Sequence, residues 1–199
     1  MLRLDLLRHG DTGRAGYLDG RTDCPLTASG VLQMARQTAA CRWPLVIASP
    51  LQRARSPAEA FAMRVQSRVV VDPDWAELDF GRWDGKLRRD IEADTGERDL
   101  LAAYYDDPES NSPPDGERWT DFEARVRSGL THAFAQAAGQ QTLVITHAGP
   151  MRLALSIVLG IPIRSLWAVR IGYATRVGLE VGRSDDGKFW GELVEIVQP

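Results

Sequence analysis

Cysteine is scarce in this sequence: Cys24 and Cys41 are the only two among 199 residues. Two cysteines cannot build a disulfide framework, and they lack the cysteine and histidine spacing of a zinc site. Histidine is also rare, with three residues in the chain, and His132 is predicted to lie on a helix face. A metal centre is therefore poorly supported, and we expect no metal and no other cofactor.

Long apolar runs are missing as well. No segment approaches the length of a transmembrane helix. The first residues include Arg3 and Asp5 instead of the continuous apolar stretch of a signal peptide. We therefore expect a cytoplasmic protein with no membrane partner.

Positive charge is not in excess, since 24 lysines and arginines face 27 aspartates and glutamates for a net charge of -3. General nucleic-acid binders are usually basic overall, so nucleic acid is not an expected partner. An anionic substrate would have to be held by a local cluster of arginines. The length, the 44% hydrophobic content and the lack of internal repeats indicate one globular domain over residues 1–199.

Short apolar runs alternate with helical patterns along the chain, and Leu45–Ala48 and Thr142–Thr146 are typical of buried strands. This alternation predicts a three-layer α/β fold in which helices flank a mostly parallel central sheet. Two final strands are predicted at Thr175–Val181 and Phe189–Val197. Residues 81–138 carry helical patterns and are predicted to form a small helical insertion over the active site, not a separate domain.

One predicted helix follows the strand Leu45–Ala48. Ser49 is a good N-cap and Pro50 suits the first helical position, so the helix is predicted to start there. Arg53 then lies near its first turn. Pro57 predicts a kink, because proline cannot donate a hydrogen bond to the carbonyl of Arg53.

The first dozen residues carry the strongest chemical signal. Leu2–Leu7 has the pattern of a strand entering a buried sheet, and Arg8, His9 and Gly10 follow at its end. Open α/β sheets place their chemistry outside the carboxyl ends of their strands. An arginine fork suits phosphate oxygens, and a neutral histidine is nucleophilic near pH 7. The simpler alternative is a basic strand end with a surface histidine.

Two other strands end in residues of the same kind. The strand at 45–48 leads to Arg53, and the strand at 142–146 leads to His147 and to a helix start at Gly149. Alone, His147 would be a core histidine and Arg53 a solvated helix residue. Together with Arg8 and His9 they predict an anion site that contains a nucleophile and faces a helix N-terminus.

A set of motifs in this order resembles the histidine phosphatase superfamily, the group that includes the cofactor-dependent phosphoglycerate mutases. The resemblance covers most of the chain. The motifs are Leu7-Arg8-His9-Gly10-Asp11-Thr12, Thr22-Asp23-Cys24-Pro25-Leu26-Thr27 with Gly30, Ala48-Ser49-Pro50-Leu51-Gln52-Arg53-Ala54, Glu77-Leu78-Asp79-Phe80-Gly81, Pro114-Asp115-Gly116-Glu117 and Val144-Ile145-Thr146-His147-Ala148-Gly149.

The resemblance implies a role for each of five residues. His9 would take the phosphoryl group as the nucleophile, while Arg8, Arg53 and His147 would bind the phosphate and stabilise the charge on its equatorial oxygens. Glu77 would protonate the leaving alkoxide and later activate water; its alternative is a solvated loop carboxylate. Phosphoryl transfer needs in-line positioning and positive charge more than covalent help, which agrees with these residue types.

The resemblance also has gaps. Many members have an asparagine six residues after the nucleophile, where this chain has Ala15, and a threonine where it has Pro57. A polar contact to the phosphate is therefore either missing or supplied by another residue such as Thr22. With Ala148, Thr22 completes the predicted phosphate-binding set.

A short chain with one modest insertion resembles the phosphatase branch more than the mutases. Within it, the motifs resemble the phosphatases of α-ribazole 5′-phosphate, which act late in cobalamin nucleotide-loop assembly. A small-molecule phosphomonoester is thus the expected partner, and the chain is expected as a monomer or a homodimer. The alternatives are a broad-specificity or sugar phosphatase, a phosphoglycerate mutase and a non-enzymatic interaction module. Candidates for stacking on the benzimidazole are Phe80, Trp83, Tyr104, Tyr105 and Trp119.

Overall fold

A computed structural model describes all residues from Met1 to Pro199. Six strands form one sheet in the order β3-β2-β4-β1-β5-β6. The strands are β1 (Leu2–Arg8), β2 (Leu45–Ala48), β3 (Arg68–Val71), β4 (Thr142–Thr146), β5 (Arg176–Arg183) and β6 (Phe189–Val197). The helices are α1 (Ala28–Thr38), α2 (Gln52–Val65), α3 (Arg88–Ala93), α4 (Thr95–Asp106), α5 (Trp119–Ala137) and α6 (Ala148–Leu159).

Five of the six strands run in one direction, and β5 runs against them. The pairs β1–β4, β2–β4 and β2–β3 are parallel, whereas β5 is antiparallel to both β1 and β6. Arg8 pairs with Thr146, and Ala48 pairs with Ile145. The carboxyl ends of β1, β2 and β4 therefore lie side by side, and the residues that follow them meet at one edge of the sheet.

The sheet buries both of its faces. Leu4 and Leu6 of β1 belong to a core cluster shared with α5 and α6, while Leu7 points into a second cluster with Met34 of α1 and Phe61 of α2. This division follows from the alternation of side chains along a strand. The predicted α/β fold with three layers and a mostly parallel central sheet is confirmed.

The start of α2 differs from the prediction. The helix begins at Gln52, and its N-cap is Leu51, which makes no side-chain capping bond. Ser49 lies two residues before this N-cap; its hydroxyl accepts a 3.3 Å hydrogen bond from the backbone nitrogen of Leu51 and lies 2.7 Å from Nε2 of His147. The helix continues through Pro57 to Val65, with Ala54, Ala58 and Phe61 buried on either side of the proline. Packing on the sheet thus maintains the helix where one backbone hydrogen bond is lost.

Only part of the segment 81–138 lies over the cavity at the sheet edge. Tyr104 and Tyr105 of α4 line that cavity, but no residue of α5 does. The buried stripe of α5, which includes Phe122, Val126 and Leu130, packs into the core under the sheet. None of the helices combines the length and the apolar character that a membrane crossing requires.

Close backbone packing joins the first loop to α1. A Cβ atom built on Gly30 would lie 2.1 Å from the carbonyl oxygen of Asp11, and one on Gly10 would lie 2.3 Å from the carbonyl oxygen of Gly30. The loop that carries His9 therefore rests directly on the first turn of a helix. Neither glycine has room for a side chain.

We predict that Gly30→Ala destabilises the protein by about 1–3 kcal/mol, because the new methyl group overlaps the backbone of Asp11. Alanine is otherwise the better helix former by about 1 kcal/mol. Gly96→Ala, at an exposed position of α4 whose nearest neighbour is 3.4 Å away, is the matched control and should be neutral or stabilising. Urea unfolding measures both, and equal midpoints for the two variants would contradict the packing argument.

Candidate active site

A cavity of about 230 Å³ opens at the carboxyl ends of the central strands. Five of the predicted site residues line it, namely Arg8, His9, Arg53, Glu77 and Ala148. His147 is fully buried behind the wall. The carboxyl ends of β1, β2 and β4 lie side by side, and this register brings together the residues at and after those ends.

The ring of His9 is held in one tautomer. Its Nδ1 lies 2.8 Å from the carbonyl oxygen of Gly10. A carbonyl oxygen only accepts hydrogen bonds, so Nδ1 carries the proton and Nε2 keeps its lone pair. The residue is 5% exposed, which leaves the ring accessible only from the cavity. This is the arrangement that a nitrogen nucleophile needs.

The surroundings of His9 also keep it neutral. Burial lowers the pKa of His9 well below its usual 6.5, and the charges of Arg8 and Arg53 lower it further. Two cations beside an imidazole disfavour a third positive charge. The lone pair on Nε2 is thus available below neutral pH as well as at it.

His147 is neutral too, but its contacts differ from those predicted. Its Nδ1 accepts a 3.3 Å hydrogen bond from Nε of Arg53, so Nε2 carries the proton and donates to the hydroxyl of Ser49 at 2.7 Å. Burial and the neighbouring Arg53 lower the pKa of His147 well below 6.5. In this structure His147 holds Arg53 in place instead of facing the cavity.

Arg53 is a buried arginine whose donors are shared among protein acceptors. Its Nη1 donates to the carbonyl oxygen of Thr22 at 2.7 Å, and its Nη2 donates to those of Asp19 and Gly20 at 2.8 and 3.1 Å. Backbone carbonyls fix the guanidinium without cancelling its charge. The nearest carboxylate, that of Asp23, is 3.5 Å away.

The loop that holds Arg53 is itself folded around Asp84. The carboxylate of Asp84 accepts hydrogen bonds from the backbone nitrogens of Gly20, Arg21 and Thr22 and from the hydroxyl of Thr22 at 2.6 Å. The structure therefore does not bring the Thr22 side chain to the other predicted phosphate-binding residues. Its hydroxyl is occupied by Asp84, and Thr22 does not line the cavity.

Arg8 keeps donors free. One Nη1 bond of 2.8 Å reaches the carbonyl oxygen of Ile171, while the buried Nε has no hydrogen-bond partner. The guanidinium carbon lies 4.3 Å from the ring centre of Tyr173, and burial lowers the pKa of Arg8 below its usual value. A buried cation with an unpartnered donor beside the nucleophile is suited to bind an anion.

Glu77 also lines the cavity, and its carboxylate lies against the N-terminus of α6. Its Oε1 accepts hydrogen bonds from the backbone nitrogens of Leu78 at 3.0 Å and Gly149 at 3.1 Å. A Cβ on Gly149 would lie 2.2 Å from this oxygen. The absence of a side chain at Gly149 therefore leaves room for the carboxylate of Glu77. Glu77 is 9% exposed, so the solvated-loop alternative does not hold.

Three of the five predicted stacking residues line the cavity: Phe80, Tyr104 and Tyr105. Trp83 is fully buried, and its indole nitrogen donates to Glu97 at 2.7 Å. Trp119 packs edge-on against Phe122, with ring centres 5.4 Å apart. These two tryptophans serve the core, as aromatic residues on helices usually do, so their prediction as stacking residues is wrong.

Several lining residues were not predicted: Arg14, Tyr17, Arg152, Trp167 and Tyr173. The sequence could have predicted Arg152 as a lining residue. It lies four residues after Ala148 on a helix that starts at the site, and so on the same helical face. Arg14 stands beside Ala15 and is held by Asp19 at 2.8 and 2.9 Å. Trp167 lies in a short 3-10 helix (Ile163–Ala168) and Tyr173 in the loop after it, and both segments are too short for a periodicity that would indicate direction.

One group of potential metal ligands lies outside the cavity. The ligand atoms of Asp72, Asp74 and His132 lie within 4.8 Å of one another. His132 is on α5, as predicted for a helix face, and its Nδ1 is 3.2 Å from the carboxylate of Asp72. A hydrogen bond between His132 and Asp72 accounts for this contact.

The sequence profile of the histidine phosphatase superfamily, branch 1, matches residues 4–190. The adenosylcobalamin/alpha-ribazole phosphatase of Salmonella typhimurium is 30% identical over 175 residues, which cover 85% of this chain and 86% of that protein. The alpha-ribazole phosphatase structure from Shigella flexneri superposes with a TM-score of 0.75 at 26% identity, covering 90% and 91% of the two chains. A mycobacterial glucosyl-3-phosphoglycerate phosphatase structure gives 0.83 at 25% identity, covering 96% of each.

The two buried neutral histidines predict how stability depends on pH. In the unfolded chain each imidazole binds a proton near pH 6.5, whereas in the folded protein each does so only at much lower pH. Between these values the unfolded state binds more protons, so the free energy of unfolding falls as pH decreases below about 6.5. Each histidine contributes up to about 1.4 kcal/mol per pH unit.

Urea unfolding at a series of pH values from 7.5 to 5 tests this prediction. His147→Asn, which cannot be protonated in either state, should have a shallower slope than the unmodified protein. Slopes that coincide would mean that His147 is not held neutral by the fold.

Proposed function

Since the chain belongs to the histidine phosphatase superfamily, branch 1, and is a phosphoric monoester hydrolase, we propose that it acts through a phosphohistidine on His9. The single observation that carries this proposal is the state of His9. Its Nδ1 proton is held by the Gly10 carbonyl and its Nε2 lone pair is free, beside the charges of Arg8 and Arg53.

The first half of the proposed reaction forms the phosphoenzyme. The lone pair on Nε2 of His9 forms a bond to phosphorus as the bond from phosphorus to the leaving oxygen breaks. Arg8 and Arg53 stabilise the charge on the three equatorial oxygens. The leaving oxygen takes a proton from Glu77 and departs as an alcohol.

The second half returns the enzyme to its starting state. Glu77, now a carboxylate, removes a proton from water, and the oxygen attacks phosphorus opposite His9. The bond from phosphorus to nitrogen breaks, its electron pair returns to Nε2, and inorganic phosphate leaves. Each half needs positioned side chains and positive charge, and these steps require no metal.

The remaining predicted residues have supporting roles in this proposal. His147 acts on Arg53, since its Nδ1 accepts from the Nε of that arginine. Ala148 begins α6, and its backbone N–H is the first-turn donor left for the anion, because that of Gly149 donates to Glu77 and Pro150 has none. The alternative of a non-enzymatic module loses support, because all five predicted chemical residues are present at the site.

We propose α-ribazole 5′-phosphate as the substrate, which would place the enzyme in cobalamin nucleotide-loop assembly. Two observations support this choice. Relatives named for this activity align along most of the chain, and the cavity wall beyond Glu77 is aromatic, with Phe80, Tyr104, Tyr105 and Trp167. A flat benzimidazole would be packed by such rings.

A broad-specificity small-molecule phosphatase is the second candidate. Arg152 favours it, because this half-buried guanidinium lines the cavity and its contacts at 3.3–3.5 Å are all to backbone carbonyls. A cation of this kind would accommodate sugar phosphates or phosphorylated acids as well as a nucleotide. A phosphoglycerate mutase is the third candidate and would depend on a bisphosphorylated primer.

Hydrolysis of a substrate panel separates these candidates. The panel contains α-ribazole 5′-phosphate, 3-phosphoglycerate with its bisphosphate primer, sugar phosphates and p-nitrophenyl phosphate. We predict that α-ribazole 5′-phosphate leads by about 100-fold or more in kcat/KM, which is a difference of about 2.7 kcal/mol in transition-state stabilisation. His9→Ala should abolish all turnover, and His132→Ala should change none of it.

Similar slow turnover of all monoesters would instead support a generalist enzyme and contradict the α-ribazole assignment. Primer-dependent conversion of 3-phosphoglycerate would identify a mutase. Activity that survives in His9→Ala would contradict the mechanism itself.

A further inference from the structure

Arg125 lies on α5, outside the cavity, and its side chain is only 16% exposed. Its guanidinium group makes two hydrogen bonds to the carboxylate of Glu117: Nε donates to Oε1 at 2.6 Å, and Nη2 donates to Oε2 at 2.8 Å. Glu117 is 12% exposed. This two-point contact between planar groups fixes the direction of the guanidinium.

The other donors of Arg125 reach the backbone that leads to Glu77. Nη1 donates to the carbonyl oxygens of Asp74 at 2.9 Å and Ala76 at 2.7 Å, and Nη2 donates to that of Glu77 at 3.0 Å. This segment is outside the sheet, so its carbonyls have no partners from neighbouring strands. One buried side chain therefore sets three carbonyl groups next to the predicted proton donor.

Glu117 contacts the backbone on the other side of Glu77, at Asp79. Its backbone nitrogen donates to the carbonyl oxygen of Asp79 at 3.0 Å, and its Oε2 accepts from the backbone nitrogen of Asp79 at 3.4 Å. The backbone is thus tied to this ion pair on both sides of Glu77. The carboxylate of Glu77 is held separately, by the backbone nitrogen of Gly149.

We propose that the Arg125–Glu117 pair positions Glu77 for proton transfer to the leaving group, so that Arg125 is a positioning residue for the reaction. The proposal rests on the role of Glu77 as the proton donor given above. It also assigns a function to the Pro114-Asp115-Gly116-Glu117 motif, which contributes no side chain to the cavity wall. A lysine cannot replace Arg125, because an ammonium group has no planar fork.

The chemistry of the leaving group provides a specific test. As the bond from phosphorus to oxygen breaks, an alkoxide needs the proton of Glu77, whereas p-nitrophenolate is stable enough to leave without it. The value of kcat/KM covers the steps up to release of this group. The ratio of kcat/KM for benzyl phosphate to that for p-nitrophenyl phosphate therefore reports on Glu77, and it does not depend on the fraction of folded enzyme.

The reference variant is Glu77→Gln, which should lower this ratio by about 100-fold or more, the usual size of general acid catalysis. Arg125→Met should lower it by about tenfold or more, and the milder Glu117→Gln should lower it by a smaller factor. Arg127→Met is the matched control, because Arg127 lies on the same helix in an exposed pair with Glu123. Its ratio should stay within about twofold of the starting value.

Two results would overturn the proposal, and they are distinguishable. If Glu77→Gln leaves the ratio unchanged, Glu77 is not the proton donor, and both the proposed function and this inference fail at that residue. If Glu77→Gln lowers the ratio but Arg125→Met and Glu117→Gln reduce both substrates equally, the ion pair serves folding alone.

Discussion

The hydrogen bond between Nδ1 of His9 and the carbonyl oxygen of Gly10 is the interaction on which the rest of the site depends. It fixes the tautomer, and so it decides which nitrogen has a lone pair. Burial and two neighbouring arginines then keep the ring uncharged. The close contact of Gly10 with Gly30 holds this loop against α1, so the position of one proton is tied to the packing of the first helix.

Positive charge accumulates at the site because its arginines are held largely by carbonyl groups. Arg53 is bound by the loop at residues 19–22, and Arg8 reaches the carbonyl of Ile171. Carboxylates in the same places would fix these side chains equally well but would cancel the charge that a phosphate dianion needs. The carboxylates of Asp84 and Glu117 act on the site indirectly. Asp84 shapes the loop that holds Arg53, and Glu117 directs Arg125.

The sequence predicts the parts of this site that follow from strand order and register. His9, Arg53 and His147 each follow a buried strand, and parallel strands bring their ends to one edge. Contacts made across elements are less predictable. Ser49 has the pattern of a helix cap, yet its hydroxyl pairs with His147, which follows another strand. Trp83 and Trp119 cannot be told from binding-site aromatics by composition, and Trp167 reaches the cavity from a short 3-10 helix whose direction depends on packing.

The account is tested most directly by nitrogen NMR of the enzyme with 15N-labelled histidine. It predicts that the His9 signals show a neutral ring, protonated at Nδ1 and unprotonated at Nε2, that persists on titration from pH 7.5 to below 6. In the same spectra His147 should be neutral with its proton on Nε2. An imidazolium at His9 near pH 6, or a His9 proton on Nε2, would contradict the central claim, because the nucleophilic lone pair would then be absent.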